Sequence, residues 1–146
     1  LLTLPNEAPL GSRDDVLVFE TAPASDTVDL AGSVSARARV RSSGPVMDWF
    51  VRVLDVAPDG TALRIARGQL QLRDATDPET INIDLGQLGY RLEAGHRLRV
   101  HVSSSDYPEY VPQPGTGEEP WSAVETRTNR QAMSDLTVTL SVLEMP

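Results

Sequence analysis

The chain has 146 residues, enough for one domain with a hydrophobic core but too few for two independent domains. Its 13 lysines and arginines face 21 aspartates and glutamates, and the formal charge of -8 disfavours a nucleic-acid partner because it repels phosphate. Hydrophobic residues make up 40% of the chain and cysteine is absent, so we expect a folded protein without disulfides, which fits the cytosol and leaves secretion open.

The first 13 residues contain Pro5 and Pro9 and show no clear hydrophobic period. We therefore interpret residues 1–13 as a linker from an upstream domain and residues 14–146 as the domain itself. The start at Leu1 instead of an initiator Met is what we expect of a segment taken from a longer polypeptide. No apolar run approaches the roughly 20 residues that span a bilayer, so no membrane partner is predicted.

From residue 14 onward the dominant pattern is alternation with period two, which places apolar side chains on one face of a half-buried strand. It is clearest at residues 32–41, where Val34, Ala36, Ala38 and Val40 alternate with Ser and Arg. Further strands are predicted at 15–20, 49–56, 63–67, 69–73, 80–85, 97–102 and 136–142, with turns at 57–60 and 93–96 and no long helix. This pattern predicts an all-β fold, a two-sheet jelly-roll sandwich.

Residues 103–130 interrupt this pattern. The segment contains four prolines and also holds Tyr107, Tyr110 and Trp121, three of the seven aromatic residues of the chain. A loop of this length inside a compact domain is usually functional or bound to a partner. It is therefore the first place to look for an interaction site.

The sequence contains no recognisable catalytic apparatus. No G-x-S-x-G nucleophile motif and no phosphate-binding glycine loop occurs, so we assign no catalytic residue and no cofactor. His96 lies beside a turn glycine and His101 on the polar face of a predicted strand. We expect both at the surface and, because they would face opposite sides of the strand, not around a shared metal.

The aromatic residues allow two interpretations. Flat rings on a β-sandwich can stack on a sugar, and Trp49, Tyr107, Tyr110 and Trp121 could serve in this way. Trp49 lies in an apolar strand, however, and we expect it in the core. For the three loop residues a protein contact is at least as well supported, because Tyr and Trp are enriched in interface cores.

Several blocks in order resemble one family. They include DVLVFET at 15–21, VSARARVRSS at 34–43, GHRLRV at 95–100 and SSSDYP at 103–108. Together they resemble the C-terminal domain of the Xaa-Pro dipeptidyl-peptidase, cocaine esterase and α-amino acid ester hydrolase family. The resemblance implies a galactose-binding-like jelly roll that packs against an α/β-hydrolase domain of the same polypeptide, with the catalytic Ser, Asp and His upstream.

The leading hypothesis is therefore a non-catalytic domain that supports a serine hydrolase. Its candidate interface residues are Ser105, Asp106, Tyr107, Tyr110 and Trp121. One alternative is a carbohydrate- or surface-binding module, and another is an oligomerisation domain that makes a homo-oligomer. Whether the parent enzyme cleaves peptides, esters or acylated amines is left open by the sequence.

Overall fold

The computed structural model describes residues 4–143, and these contain seven strands and one short 3-10 helix. The helix is Ala8–Ser12, and the strands are β1 (Val16–Glu20), β2 (Val28–Ser42), β3 (Val46–Val56), β4 (Ala62–Arg73), β5 (Glu79–Leu92), β6 (Arg97–Ser103) and β7 (Gln131–Thr139). Within residues 4–143 no helix has the length and hydropathy needed to cross a bilayer.

The strands form two antiparallel sheets. Sheet A has the order β1-β6-β3-β4, and sheet B has the order β5-β2-β7. The predicted all-β, two-sheet sandwich is therefore confirmed.

The core lies between the sheets and follows the alternation in the sequence. In the second half of β2 the alternating apolar residues Val34, Ala36, Ala38 and Val40 are each at most 4% exposed. They pack against the inner face of β3, where Trp49, Val51 and Val53 are buried in the same cluster. The prediction that Trp49 belongs to the core is confirmed.

Every residue of β3 is buried, on both faces of sheet A. On the outer face Phe50 and Leu54 are 1% and 0% exposed, because other parts of the chain cover them. Leu54 packs with Ala8 of the 3-10 helix, and Phe50 contacts the ring of Tyr110. The outer face of sheet A is thus a second, smaller packing layer.

The segment interpreted as a linker supplies part of this cover. Asn6 forms a β-bridge with Leu63, and the Glu7 backbone N–H donates to the Ala62 carbonyl at 2.9 Å. We call residues 6–12 the N-terminal strap, because they cross the outer face of sheet A before β1 begins.

Two predicted strands, 63–67 and 69–73, are a single strand, β4. Gly68 does not end this strand, because its backbone conformation is ordinary for a strand. Its role is to let β4 approach sheet B closely. A Cβ at this position would lie 2.2 Å from the Asp84 carbonyl oxygen of sheet B. The glycine is there because the two sheets nearly touch at this point.

The predicted strand 80–85 continues to Leu92, and the last strand begins at Gln131 instead of residue 136. Both differences come from bulges, which let a strand continue past an irregular residue. In β5 the bulge contains Gly86, whose φ is +89°, opposite the shift between Ser33 and Ser35. In β7 it contains Asp135, whose φ is +54°.

Candidate interaction site

The candidate site is built on the segment between β6 and β7. Residues 104–130 contain no strand or helix, and the structure holds the start of this loop close to sheet A. Ser105 is partly buried, and its carbonyl accepts a hydrogen bond from Ser103 Oγ at 2.9 Å. Asp106 is 8% exposed and points at arginines of the sheet. These two residues anchor the loop.

Arg52 is the centre of this anchor. It lies on the outer face of β3, its side chain is 4% exposed, and its guanidinium forms an ion pair with Asp106. Nη1 donates to Ser103 Oγ at 3.0 Å, and Nε lies 3.9 Å from Glu7 Oε2. One buried arginine therefore connects the loop to the N-terminal strap.

Two arginines of β4 extend the contact. Arg67 Nη1 donates to Asp106 Oδ2 at 3.0 Å and also pairs with Glu109. Arg64 bridges Glu109 and Glu7, with N–O distances of 3.3 and 3.4 Å. We call Glu7, Arg52, Arg64, Arg67, Asp106 and Glu109 the Arg52 network; its three positive and three negative charges balance.

The two ends of this network differ electrostatically. Burial raises the pKa of Glu7, although Arg64 and Arg52 oppose the shift. The pKa of Glu109 is lowered, chiefly by its hydrogen bond to Arg67. At the strap end the surroundings therefore disfavour the ionised form of Glu7. At the loop end they favour the ionised form of Glu109.

His101 lies beside this network and is not at the surface, so the expectation for it is wrong. It is 0% exposed, and neither ring nitrogen has a hydrogen-bond partner among residues 4–143. The strap covers it, with Gly11 so close that a Cβ there would lie 3.0 Å from Nε2. Burial lowers the pKa of His101 to about 4, with Arg99 and Arg52 acting in the same direction.

The aromatic residues of the loop divide into two groups. Tyr110 packs on Phe50, with ring centroids 5.0 Å apart, and the Arg67 guanidinium lies 5.5 Å from its centroid. Tyr107 and Trp121 are 78% and 82% exposed. Within the described chain, Phe50 and Tyr110 are the only aromatic pair, so the loop rings do not assemble into one stacking platform.

A second polar cluster, which we call the Asp55 cluster, consists of Asp55, Tyr90 and His96 and lies at the end of the sandwich where β3 ends and β6 begins. Asp55 is 5% exposed and accepts hydrogen bonds from Tyr90 at 2.6 Å, while His96 Nδ1 lies 2.8 Å away. No serine hydroxyl contacts His96 in residues 4–143, and no group of three or more His, Cys, Asp or Glu there is arranged to hold a metal. This cluster joins the two sheets.

The arginines were missed in the sequence, although one of them gave a signal. A charged residue inside the apolar run of β3 is rarely buried unless it is paired, and Arg52 is such a residue. Its partner Asp106 is 54 residues away along the chain. No local pattern indicates which carboxylate a distant fold will bring to it.

The comparisons with known proteins agree with the fold. A family model described as the X-Pro dipeptidyl-peptidase C-terminal non-catalytic domain matches residues 6–139. Cocaine esterase from Rhodococcus sp. (strain MB1 Bresler) is 33% identical over 123 residues, covering 77% of this chain and 21% of that protein. This chain thus spans about a fifth of that relative.

Two solved structures share the architecture. An aminopeptidase from a marine sediment Thaumarchaeota archaeon superposes with a TM-score of 0.84 at 24% identity, covering 97% of this chain and 28% of that one. An α-amino acid ester hydrolase gives a TM-score of 0.85 at 22% identity, with coverages of 96% and 27%. The resemblance seen in the sequence is confirmed: this chain belongs to the family of X-Pro dipeptidyl-peptidase C-terminal non-catalytic domains.

Proposed function

We propose that this domain packs against an α/β-hydrolase domain of the same polypeptide and supports it, the parent being a serine hydrolase of peptidase or esterase type. The family to which the chain belongs is non-catalytic by description, and the relatives it matches are several times longer. A domain of this kind acts through the surface that it presents to its neighbour.

The observation that carries the proposal is the exposure of large apolar side chains in one loop. Tyr107, Val111, Trp121 and Val124 are 78%, 66%, 82% and 91% exposed. Exposed apolar side chains concentrated in one region are typical of interaction sites. Tyr and Trp are also the residues that most often dominate binding energy at interfaces.

The Arg52 network supports the same proposal because it fixes the loop before any partner binds. Asp106 and Glu109 flank Tyr107 in the sequence, and both are held by arginines of sheet A. Tyr110 is held on Phe50. A preorganised contact loses less conformational entropy on association than a mobile one.

The test compares one pair of substitutions in two contexts. In the 146-residue chain, Tyr107→Ala with Trp121→Ala should change the free energy of unfolding by less than about 0.5 kcal/mol, since both side chains are exposed. In the longer polypeptide with its hydrolase domain, the same pair should lower the thermal midpoint and the activity, because each buried aromatic contributes about 1.5–3 kcal/mol. An unchanged midpoint and activity in the longer polypeptide would refute the proposed interface.

A further inference from the structure

Three arginines stand in a row on the outer face of sheet B. Arg37, Arg39 and Arg41 alternate with the core residues of β2, the central strand of this sheet, and all three are exposed. Alternate residues of a strand are about 6.6 Å apart on the same face, so the row is about 13 Å long. We call these three residues the arginine row.

The chain does not neutralise the arginine row. Every arginine of sheet A forms an ion pair with a carboxylate, as Arg52, Arg67 and Arg99 do. Within residues 4–143 no member of the row pairs with a carboxylate or donates a side-chain hydrogen bond. Like charges side by side on one face of a sheet repel one another. A partner that brings negative charge to this face would relieve that repulsion.

The carboxylates of the two flanking strands have other partners or another orientation. Asp84 of β5 accepts a hydrogen bond from the Gly86 backbone N–H at 2.8 Å. Asp135, in the bulge of β7, accepts one from Ser134 Oγ at 3.1 Å. Glu79 lies in register with a core residue of β2 and so belongs to the inner face. The guanidiniums of the row are therefore free to bind carboxylates from outside the chain.

The surface beside the row is polar, uncharged and uncovered. The cross-strand neighbours of Arg37 and Arg39 are Thr80 and Asn82 on β5 and Ser134 and Thr137 on β7, and all four are exposed. Hydroxyl and amide side chains both donate and accept hydrogen bonds, as a peptide backbone does. An extended segment laid along β2 would meet a line of charge with hydrogen-bonding groups on each side.

The row suits carboxylates better than nucleic acid. Single-stranded nucleic acid binds by stacking its bases on aromatic rings, and none of these neighbours is aromatic. The chain as a whole carries a charge of -8, which repels a phosphate backbone. A guanidinium, in contrast, matches a single carboxylate with two parallel N–H donors.

We propose that the arginine row binds an extended acidic segment of a second protein, with Asp or Glu at every second position. An extended segment has the same side-chain repeat as β2, so each of three carboxylates can meet one arginine. The anchor of the loop, Asp106 and Tyr110, contacts the outer face of sheet A, whereas the row lies on the outer face of sheet B. The proposal therefore does not depend on the docking of a hydrolase domain.

The experiment titrates the 146-residue chain with the peptide GETETEG and follows the binding by ¹H–¹⁵N spectra. In about 20 mM salt the peptide should shift the amide resonances of residues 35–41 and of their cross-strand neighbours saturably, with a Kd below about 1 mM. In about 200 mM salt the binding should weaken several-fold, because exposed charges are screened. GEEETTG has the same composition but presents fewer carboxylates on one side and should bind more weakly. GQTQTQG should not bind.

Variants place the site on the row. Arg39→Gln removes the central charge and should weaken the binding of GETETEG about two- to fivefold, the effect of one exposed ion pair. The triple variant that adds Arg37→Gln and Arg41→Gln should abolish it. Arg127→Gln is the matched control, because Arg127 is exposed and forms no ion pair within residues 4–143, but lies in the loop. It should leave binding unchanged, and all variants should keep the thermal midpoint of the natural chain.

Four results would overturn the proposal. The first is the absence of a saturable shift with GETETEG up to about 5 mM, several times the expected Kd. The second is equal binding of GETETEG and GEEETTG, or equal losses for Arg39→Gln and Arg127→Gln, since the spacing and position of the charges would then not matter. The third is tighter binding of a single-stranded oligonucleotide than of GETETEG. The fourth is loss of peptide binding in the longer polypeptide, which would mean that its hydrolase domain covers the row.

Discussion

Arg52 occupies a position that apolar residues otherwise fill, in the middle of a strand that is buried on both faces. Its retention there depends on partners, because an ion removed from water is stable only when it is paired and hydrogen-bonded. Ser103, Asp106 and Glu7 supply those partners from two segments that are far apart in the sequence. Arg52 thereby connects the strap and the loop.

Replacing Arg52 should lower the stability of the domain. Arg52→Leu leaves Asp106 and Glu7 with fewer partners, and we expect a loss of about 3–5 kcal/mol in the free energy of unfolding by urea. Arg91→Leu is the matched control, since Arg91 also pairs with an aspartate, Asp29, but is 63% exposed. The loss in Arg91→Leu should be much smaller than that in Arg52→Leu, because a solvent-exposed ion pair contributes little to stability, and equal losses for the two variants would contradict the argument.

His101 gives the stability of the domain a dependence on pH. Its pKa is about 4 in the folded chain, below the ordinary value of 6.5, so the folded state favours the neutral ring. The stabilisation is complete above pH 6.5 and is lost as the pH falls toward 4. The difference amounts to about 3 kcal/mol.

The measurement compares unfolding free energies of the natural chain and His101→Gln at several pH values. Between pH 6.5 and 4 the natural chain should lose more stability than the variant. The reason is that the exposed His101 ring of the unfolded natural chain takes up a proton in this range, whereas the buried ring of the folded chain stays neutral. Carboxylates such as Glu7 titrate in both proteins and cancel in the difference. Parallel curves would show that His101 does not titrate as described.

At the scale of elements, Gly68 shows how a glycine is required by packing between sheets. Gly68→Ala would place a methyl group 2.2 Å from the Asp84 carbonyl, so sheet B must move away from β4. We expect a loss of about 1–3 kcal/mol, typical of overpacking, in urea unfolding. Gly89→Ala, also in a strand but with no atom within 4 Å of the added Cβ, should stay within about 0.5 kcal/mol of the natural chain. A small effect of Gly68→Ala would contradict this prediction, because it would mean that the two sheets can move apart at this point with little loss of stability.

The strands show what local pattern can and cannot predict. The alternation in β2 follows from one solvated face and one buried face, and the sequence therefore predicts it. The structural roles of Gly68 and Gly86 are harder to predict from the sequence, since a glycine in a strand can mark a turn, a bulge or a close approach. Only the position of the opposite sheet distinguishes these cases.

Some residues of the candidate site can likewise be predicted from the sequence and others cannot. Tyr107 and Trp121 stand out in the sequence because aromatic residues in a proline-rich loop are unusual. The burial of Asp106 and His101 depends on the strap and on Arg52, which are remote from them along the chain. Contacts of this kind are produced by the tertiary fold, and no periodicity records them.

At the scale of the whole molecule, the sandwich is closed at one end by a link between its sheets. Asp55 belongs to β3 of sheet A, Tyr90 to β5 of sheet B, and His96 to the turn before β6. The pKa of Tyr90 is raised, first by burial and then by its hydrogen bond to Asp55, so the phenol stays protonated and continues to donate. The link therefore persists at any pH near neutrality.

Removing one hydroxyl tests whether this link holds the two sheets together. Tyr90→Phe deletes the 2.6 Å hydrogen bond to a buried carboxylate, and we expect a loss of about 1.5–3 kcal/mol, the range for bonds to charged groups. Amide exchange should accelerate most at the turns 57–60 and 93–96, which the Asp55 cluster holds at this end. Tyr107→Phe removes a hydroxyl from an exposed ring and should change neither quantity. If exchange in Tyr90→Phe rose evenly over both sheets, the hydroxyl would contribute to global stability without closing this end of the sandwich.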